Sequence, residues 1–224
     1  MLPPSHNAIV WSDGKKKKVY DITASLSSDL PVFPGQPHFR KEFLLSLARG
    51  DRANITQLTL TSHTGTHVDS PNHFIDEMDT IDQIPFHKVM GRARVFELGV
   101  KEKIDASDIQ LLKIDPEAIV LFKTRNSNLW LDKEFRKDYV FITKEAAEVL
   151  RDRNVAAVGF DYIVPDELEN FKRPVHHILF RKGIILIEGL NLSNVPAGDY
   201  FLICLPLKIE GGDAAPARAI LVEL

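Results

Sequence analysis

Short apolar, β-branched runs recur along the chain with turn residues between them, while stretches of helical periodicity are few. The runs at residues 18–23, 93–98, 118–122, 155–160, 184–187, 200–205 and 217–222 each read as a strand. At 55–61, Ile-Thr-Gln-Leu-Thr-Leu-Thr alternates Leu58 and Leu60 with Thr59 and Thr61, again the period of a strand. Helical spacing is clear after Thr143, where Ala146, Ala147 and Leu150 fall on one side of a stretch reaching Arg153 and Thr143 is placed to cap it. A shorter helix through Ile109, Leu111 and Leu112 is predicted to begin at Asp105 or Ser107. Strands dominate and one helix feeds directly into a strand, so the pattern predicts a mixed α/β domain with a sheet-dominated core and flanking helices.

Length and charge narrow the picture. A chain of 224 residues suffices for one large domain, and no repeat or shift in composition marks a second. Residues 1–17 are polar and turn-prone around Asp13-Gly14, and are expected to be a loose leader before a domain at 18–224. The net charge is −3 with both signs interspersed, and Lys15-Lys-Lys-Lys18 is the one block of like charge, which excludes a nucleic-acid footprint. No apolar run is long enough to span a membrane, and Met1-Leu-Pro-Pro-Ser-His lacks the features of a secretory signal, so a cytoplasmic location is expected. Cys204 is the single cysteine; it lies inside a strand pattern and reads as a buried structural residue.

The chemistry concentrates in His63-Thr-Gly-Thr-His67-Val-Asp69-Ser-Pro-Asn-His73, three imidazoles and a carboxylate within eleven residues. Thr64-Gly65-Thr66 is poor helix material and no glutamate base lies between the histidines, so the i, i+4 helical site of metalloproteases is rejected. On a fully extended chain His63 and His67 would sit roughly 13 Å apart, near the limit for sharing one ion. Gly65 is placed to bend the chain and bring them together, with His63 delivered by the strand at 55–61. Asp69 would share a face with His67, and Pro71 would turn His73 back toward them. The residues alone allow either a metal site or a surface loop with scattered histidines.

Three further positions bear on this choice. Glu188 ends the apolar run 184–187, where it is either a buried ligand or a solvated strand end, and His176 lies twelve residues before it. Asp161 follows the strand at 155–160 and is either an orienting partner for a ligand histidine or a structural loop carboxylate. Phe33, between Pro31 and Pro34, is either an apolar wall for a substrate or a buried turn residue. His6, His38, His87 and His177 read as surface or packing residues.

The run from His63 to His73 matches His-x-Gly-Thr-His-x-Asp-x-Pro-x-His without a gap. Together with Pro31-Val-Phe-Pro-Gly35, Phe122-Lys-Thr, Gly159-Phe-Asp161-Tyr and a tail from Asp213 to Ala219, it resembles the metal-dependent cyclase and bacterial kynurenine formamidase family, with isatin hydrolases as relatives. The resemblance implies that His63, His67 and Asp69 bind one metal ion. It also implies that Asp69 and Glu188 reach a second ion ligated by His176, and that His73 transfers protons beside them. It further implies a swivelling β/β/α type of fold and assembly as a homodimer or homotetramer. The chain departs from the kynurenine formamidases at Phe33, where they carry Trp, and at Gln36, where they carry Asp.

A nitrogen and oxygen ligand set suits Zn²⁺ or Mn²⁺, leaves Mg²⁺ open, and allows one or two ions per subunit. Metal-activated water with His73 as proton donor points to cleavage of a C–N bond in an aromatic or cyclic amide or a formamide. The competing readings are a cyclase or ring-opening hydrolase acting on an oxygenated ring, and a non-catalytic metal-stabilised binding protein. His73 argues against the latter, since a purely structural site needs no acid–base group.

Overall fold

The computed structural model describes residues 8–10, 14, 16–100 and 102–224. Strands β1 (Ala8–Val10) and β2 (Lys16–Asp21) pair antiparallel, so part of the expected leader at 1–17 is strand; its residues 1–7, 11–13 and 15 lie outside the described residues. A hairpin follows, β3 (Arg40–Leu45) with β4 (Ile55–Thr59), and then β5 (His67–Asp69) and β6 (Met90–Glu97). Next come β7 (Lys103–Ile104), α1 (Ala106–Gln110), β8 (Ile119–Lys123), β9 (Phe141–Ile142), α2 (Lys144–Asp152) and β10 (Ala157–Phe160). The chain ends with α3 (Pro174–Phe180), β11 (Ile185–Glu188), β12 (Gly198–Pro206) and β13 (Ala214–Glu223).

Nine of the described strands form one mixed sheet, seven of which close on themselves, while β3–β4 and β7–β9 pair separately. In order, β13, β12, β6, β8, β10, β11 and β5 pair with their neighbours, and β5 pairs back onto β13, completing a seven-stranded barrel. The run β6, β8, β10, β11 is parallel, so its connections must cross over, and α1, α2 and α3 lie in those crossovers. Helices on the outside and a filled barrel inside bury both faces of these strands, which explains their continuous apolar runs. Alternate residues divide accordingly: Ile119, Leu121, Ile185 and Ile187 join the core cluster within the barrel, while Val120, Phe122 and Leu186 join the cluster beneath the helices.

The helices follow their sequence signals. Thr143 Oγ1 accepts from Ala146 N at 3.2 Å, and α2 buries Ala146, Ala147 and Leu150 against the sheet. Asp108 accepts from the backbone N–H of Asp105 at 2.8 Å, which starts α1, but that helix ends at Gln110 and leaves Leu111 exposed. Cys204 is buried as expected, and burial pushes its thiol up to about 12, so it is inert. Among the described residues no helix is long and apolar enough to cross a membrane.

Two elements differ from expectation. The strand at 55–61 stops at Thr59, because Thr64 Oγ1 accepts from Thr61 N (2.9 Å) and Thr64 N donates back to Thr61 O (3.2 Å), closing a turn that carries His63. The β3–β4 hairpin also stands apart from the barrel, with Phe43, Leu44, Ile55 and Leu58 exposed.

Two glycines fix the approach to β5. Gly65 and Gly189 both have a φ of 71°, and a Cβ on Gly189 would lie 2.2 Å from Gly65 O. Gly189→Ala therefore combines a left-handed backbone with a clash against main chain and should cost about 3 kcal/mol or more. Gly211 has a similar φ of 67° with open space around it, so Gly211→Ala should cost only about 1 kcal/mol. Thermal unfolding of both variants checks this, and equal melting temperatures would show that the close approach carries no energy.

Candidate metal centre

The centre is built where β5 meets β11 on the outer face of the barrel. Residues of β5 alternate, so Val68 enters the barrel core while His67 and Asp69 point outward. The antiparallel register sets Glu188 opposite His67 and Leu186 opposite Asp69, and Glu188, at the end of β11, is 3 % exposed. Glu188 is thus the buried group of the two sequence alternatives. Its Oε2 lies 3.5 Å from His67 Nε2.

Three neighbouring segments complete the cluster. The turn closed by Thr61 and Thr64 brings His63 Nδ1 to 3.0 Å from Asp69 Oδ1, with the His63 and His67 rings 5.0 Å apart, as the bend at Gly65 predicted. A 3-10 turn at Pro71–His73, in which His73 N donates to Ser70 O, returns His73 so that its Nε2 is 3.9 Å from Asp69 Oδ2. From α3, His176 points Nε2 at Glu188 Oε1 (3.1 Å) and Asp69 Oδ2 (3.7 Å). The structure therefore brings His63, His67, Asp69, His73, His176 and Glu188 together from five separate segments.

The polar atoms are arranged for a cation. His67 Nε2 and both carboxylate oxygens of Asp69 are buried and make no hydrogen bond, a costly state for such groups unless a positive ion lies between them. One atom each from His63, His67 and Asp69, and likewise from Asp69, His176 and Glu188, falls within 4.8 Å of the others, so the residues fit two adjacent divalent ions sharing Asp69. His63, His73 and Asp213 form a third such group, which makes ligation an alternative to proton transfer for His73.

Each candidate ligand histidine has its other ring nitrogen engaged, and this fixes which nitrogen faces the centre. His67 Nδ1 bonds Gly65 O at 2.9 Å, His63 Nε2 bonds Asp213 Oδ2 at 2.8 Å, and His176 Nδ1 bonds Asp166. Asp166 also accepts from Val175 N (2.8 Å) and His176 N (3.3 Å), satisfying the first turn of α3. The orienting carboxylate is therefore Asp166 and not Asp161. Asp161 accepts from Thr124 N (2.7 Å), Ser127 N (3.1 Å) and Ser127 Oγ (2.8 Å), and so clamps the segment after β8. Burial pushes the Asp161 carboxyl up to about 6 against those donors. Asp213, which also lies 3.3 Å from His73 Nδ1, carried no role in the sequence reading. Its signal was its place at the head of the tail that matched the family.

Electrostatics follow from crowding four carboxylates around the imidazoles. Burial alone would lower the pKa of His63 and His67, but Asp69 beside both, with Asp213 on His63 and Glu188 on His67, outweighs it and raises them to about 9 and about 10. His176 is raised in the same way, against its burial, by Asp166, Asp69 and Glu188. His73 differs: burial pushes it below its ordinary value, which favours the neutral imidazole.

A cavity of about 210 Å³ opens onto these groups and is walled by Phe33, Phe74, Ile163 and Val164, with Gln36 and Arg173 also facing it. The Phe33 ring packs edge-on against Phe135 at 5.7 Å. The described histidines set aside earlier stay outside the cluster, and His177 packs against Phe74 at 5.6 Å.

Comparison with known proteins agrees with this geometry. Residues 20–167 match the Cyclase family. The kynurenine formamidase of Salinibacter ruber is 37 % identical over 203 residues, covering 90 % of this chain and 95 % of that protein. A structure from Bacillus stearothermophilus described as a predicted metal-dependent hydrolase superposes with a TM-score of 0.82 at 34 % identity, over 93 % of this chain and 99 % of that one. Isatin hydrolase A from Labrenzia aggregata superposes with a TM-score of 0.80 at 25 % identity, over 92 % and 94 %. With the family motif spanning His63 to His73 and relatives aligned over nine-tenths of its length, the chain belongs to the Cyclase family.

Proposed function

We propose that the protein is a metal-dependent hydrolase that cleaves the C–N bond of a formamide, amide or cyclic amide carried on an aromatic substrate. One observation carries most of the weight: the buried, unbonded Asp69 carboxylate among His63, His67, His176 and Glu188. The kynurenine formamidase and isatin hydrolase relatives supply the bond type. In this reading His63, His67 and Asp69 hold one ion, Asp69, His176 and Glu188 hold the other, and Zn²⁺ or Mn²⁺ suits the donor set, with Mg²⁺ also compatible. When bound, such an ion acidifies a water toward neutral pH and polarises a carbonyl.

The chain's own residues do the rest. Phe33 and Phe74 form a wall against which an aromatic ring can stack, and Ile163 and Val164 keep that end of the cavity apolar. Neutral His73, at the cavity edge and a quarter exposed, can take a proton from the attacking water and hand it to the departing nitrogen. Asp213 holds its Nδ1. The exposed apolar hairpin β3–β4 supports assembly as a homodimer or homotetramer, because a two-stranded hairpin with no packed face is marginal in water.

Removing a ligand should remove the ion. Alanine at His63, His67 or Asp69 is expected to abolish metal binding and activity together, and Glu188→Gln to lower the metal-to-protein ratio, both read by elemental analysis. Full metal occupancy in the first three variants would sink the assignment.

Protonation gives an independent check. At pH 8 the metal-free centre holds His63 and His67 as imidazolium, since their pKa values are raised to about 9 and about 10, His176 is shifted in the same direction, and a ligand imidazole must be neutral. Zn²⁺ uptake should release between about two and three protons, counted by calorimetry in buffers of different ionisation enthalpy. Metal-free stability from these groups is complete below pH 6.5 and is lost as pH rises through about 9 to 10. Release of no protons would place the ion elsewhere.

His73→Ala separates ligation from catalysis. It should keep the metal and lose roughly 10²–10⁴-fold in kcat. Loss of metal in parallel with activity would make His73 a ligand through the His63–Asp213 group.

A further inference from the structure

Beyond the metal centre, one group of fixed positive charge faces the cavity. Arg173 lines it beside Phe33 and Gln36, its guanidinium 5.4 Å from the centre of the Phe33 ring. Its Nη1 donates to Glu167 O at 3.1 Å, and among the described residues no carboxylate lies within ion-pair distance of it. A guanidinium at a cavity wall without an acidic partner leaves most of its donor fork free for a ligand.

The backbone fixes where that side chain starts. Arg173 has φ 44° and ψ 56°, a left-handed conformation that a non-glycine residue holds only when its surroundings impose it. They do so here: Arg173 N donates to Asn170 O and His177 N donates to Arg173 O, both at 3.1 Å. On the same wall, Thr61 Oγ1 donates to Gln36 Oε1 at 3.3 Å, which leaves the Gln36 amide N–H₂ as the donor end. The cavity is thus lined by the metal cluster, by apolar rings, and by the largely unengaged donors of Arg173 and Gln36 beside Phe33.

We propose that Arg173, assisted by Gln36, binds a carboxylate carried by the substrate's aromatic part, away from the amide that is cleaved. The proposal rests on the hydrolase reading and adds the substrate class: amides bearing an anion. A planar carboxylate matches the guanidinium fork in two parallel hydrogen bonds, and the Phe33 ring, 5.4 Å from the guanidinium, packs beside it.

The test uses the metal-loaded full chain with 4-carboxyformanilide and neutral formanilide as probes. The expected result is a higher kcat/KM for the carboxylated amide, and a fall in the carboxylated-to-neutral ratio of about 10- to 100-fold in Arg173→Met, mainly through KM. Arg173→Lys, which keeps the charge, should fall between the two. No preference in the wild type, or equal loss on both amides in Arg173→Met, would overturn the proposal. If neither amide is cleaved, the hydrolase reading fails, and benzoate binding by calorimetry then decides Arg173 separately. Weakening of at least tenfold in Arg173→Met supports the carboxylate site, and unchanged binding overturns it.

Discussion

Everything in this structure depends on the pairing of β5, a strand of three residues with partners on both edges. Against β11 and β13 it closes the barrel, and two of its three side chains, His67 and Asp69, face the metal centre. Side chains alternate along a strand, so a one-residue slip would swing Val68 out and send His67 and Asp69 into an apolar interior. The register is held from outside the strand. Gly189 approaches the main chain of Gly65 so closely that it tolerates no side chain, and Thr66 Oγ1 donates to Gly189 O at 2.6 Å. Fold closure and site assembly are therefore one event.

That geometry concentrates negative charge that the protein alone cannot balance cheaply. Asp69, Glu188 and Asp166 are all nearly inaccessible to water, and a buried carboxylate is tolerable only when paired. Without an ion, raised imidazole pKa values recruit protons as the compensating charge. With an ion, those protons become redundant, while the outer bonds from Gly65, Asp213 and Asp166 still hold each ring in its orientation. The scaffold is organised for the cation before the cation arrives.

The sequence disclosed the parts whose signal is local. Continuous apolar runs identified the strands, because β8, β10 and β11 are buried on both faces, and Thr143 with its alanines identified α2. The bend at Gly65 and the turn at Pro71 were visible because glycine and proline mark such positions. What remained hidden depends on residues far apart in the chain. Closure of the sheet rests on β5 meeting β13 across some 145 residues of sequence, and no periodicity reports it. Asp166 and Asp161 differ only in which buried donors surround them, so choosing the partner of His176 required the packing of α3. The end of β4 at Thr59 turned on a side-chain bond from Thr64 that strand periodicity does not register.

The hairpin β3–β4 joins two functions that the rest of the fold keeps separate. The loop bearing Phe33 and Gln36 leads into it, and its second strand leads out to the turn bearing His63. The clustered histidines and carboxylates sit mostly on barrel strands and α3, where substitution disturbs closure, whereas Phe33 and Gln36 lie on a connection that bears none of that load. Changes in this loop can remodel what the cavity accepts while leaving the reactive centre intact. The architecture is in this respect evolvable: new substrates can be acquired at the rim by lineages that inherit an unaltered chemical core.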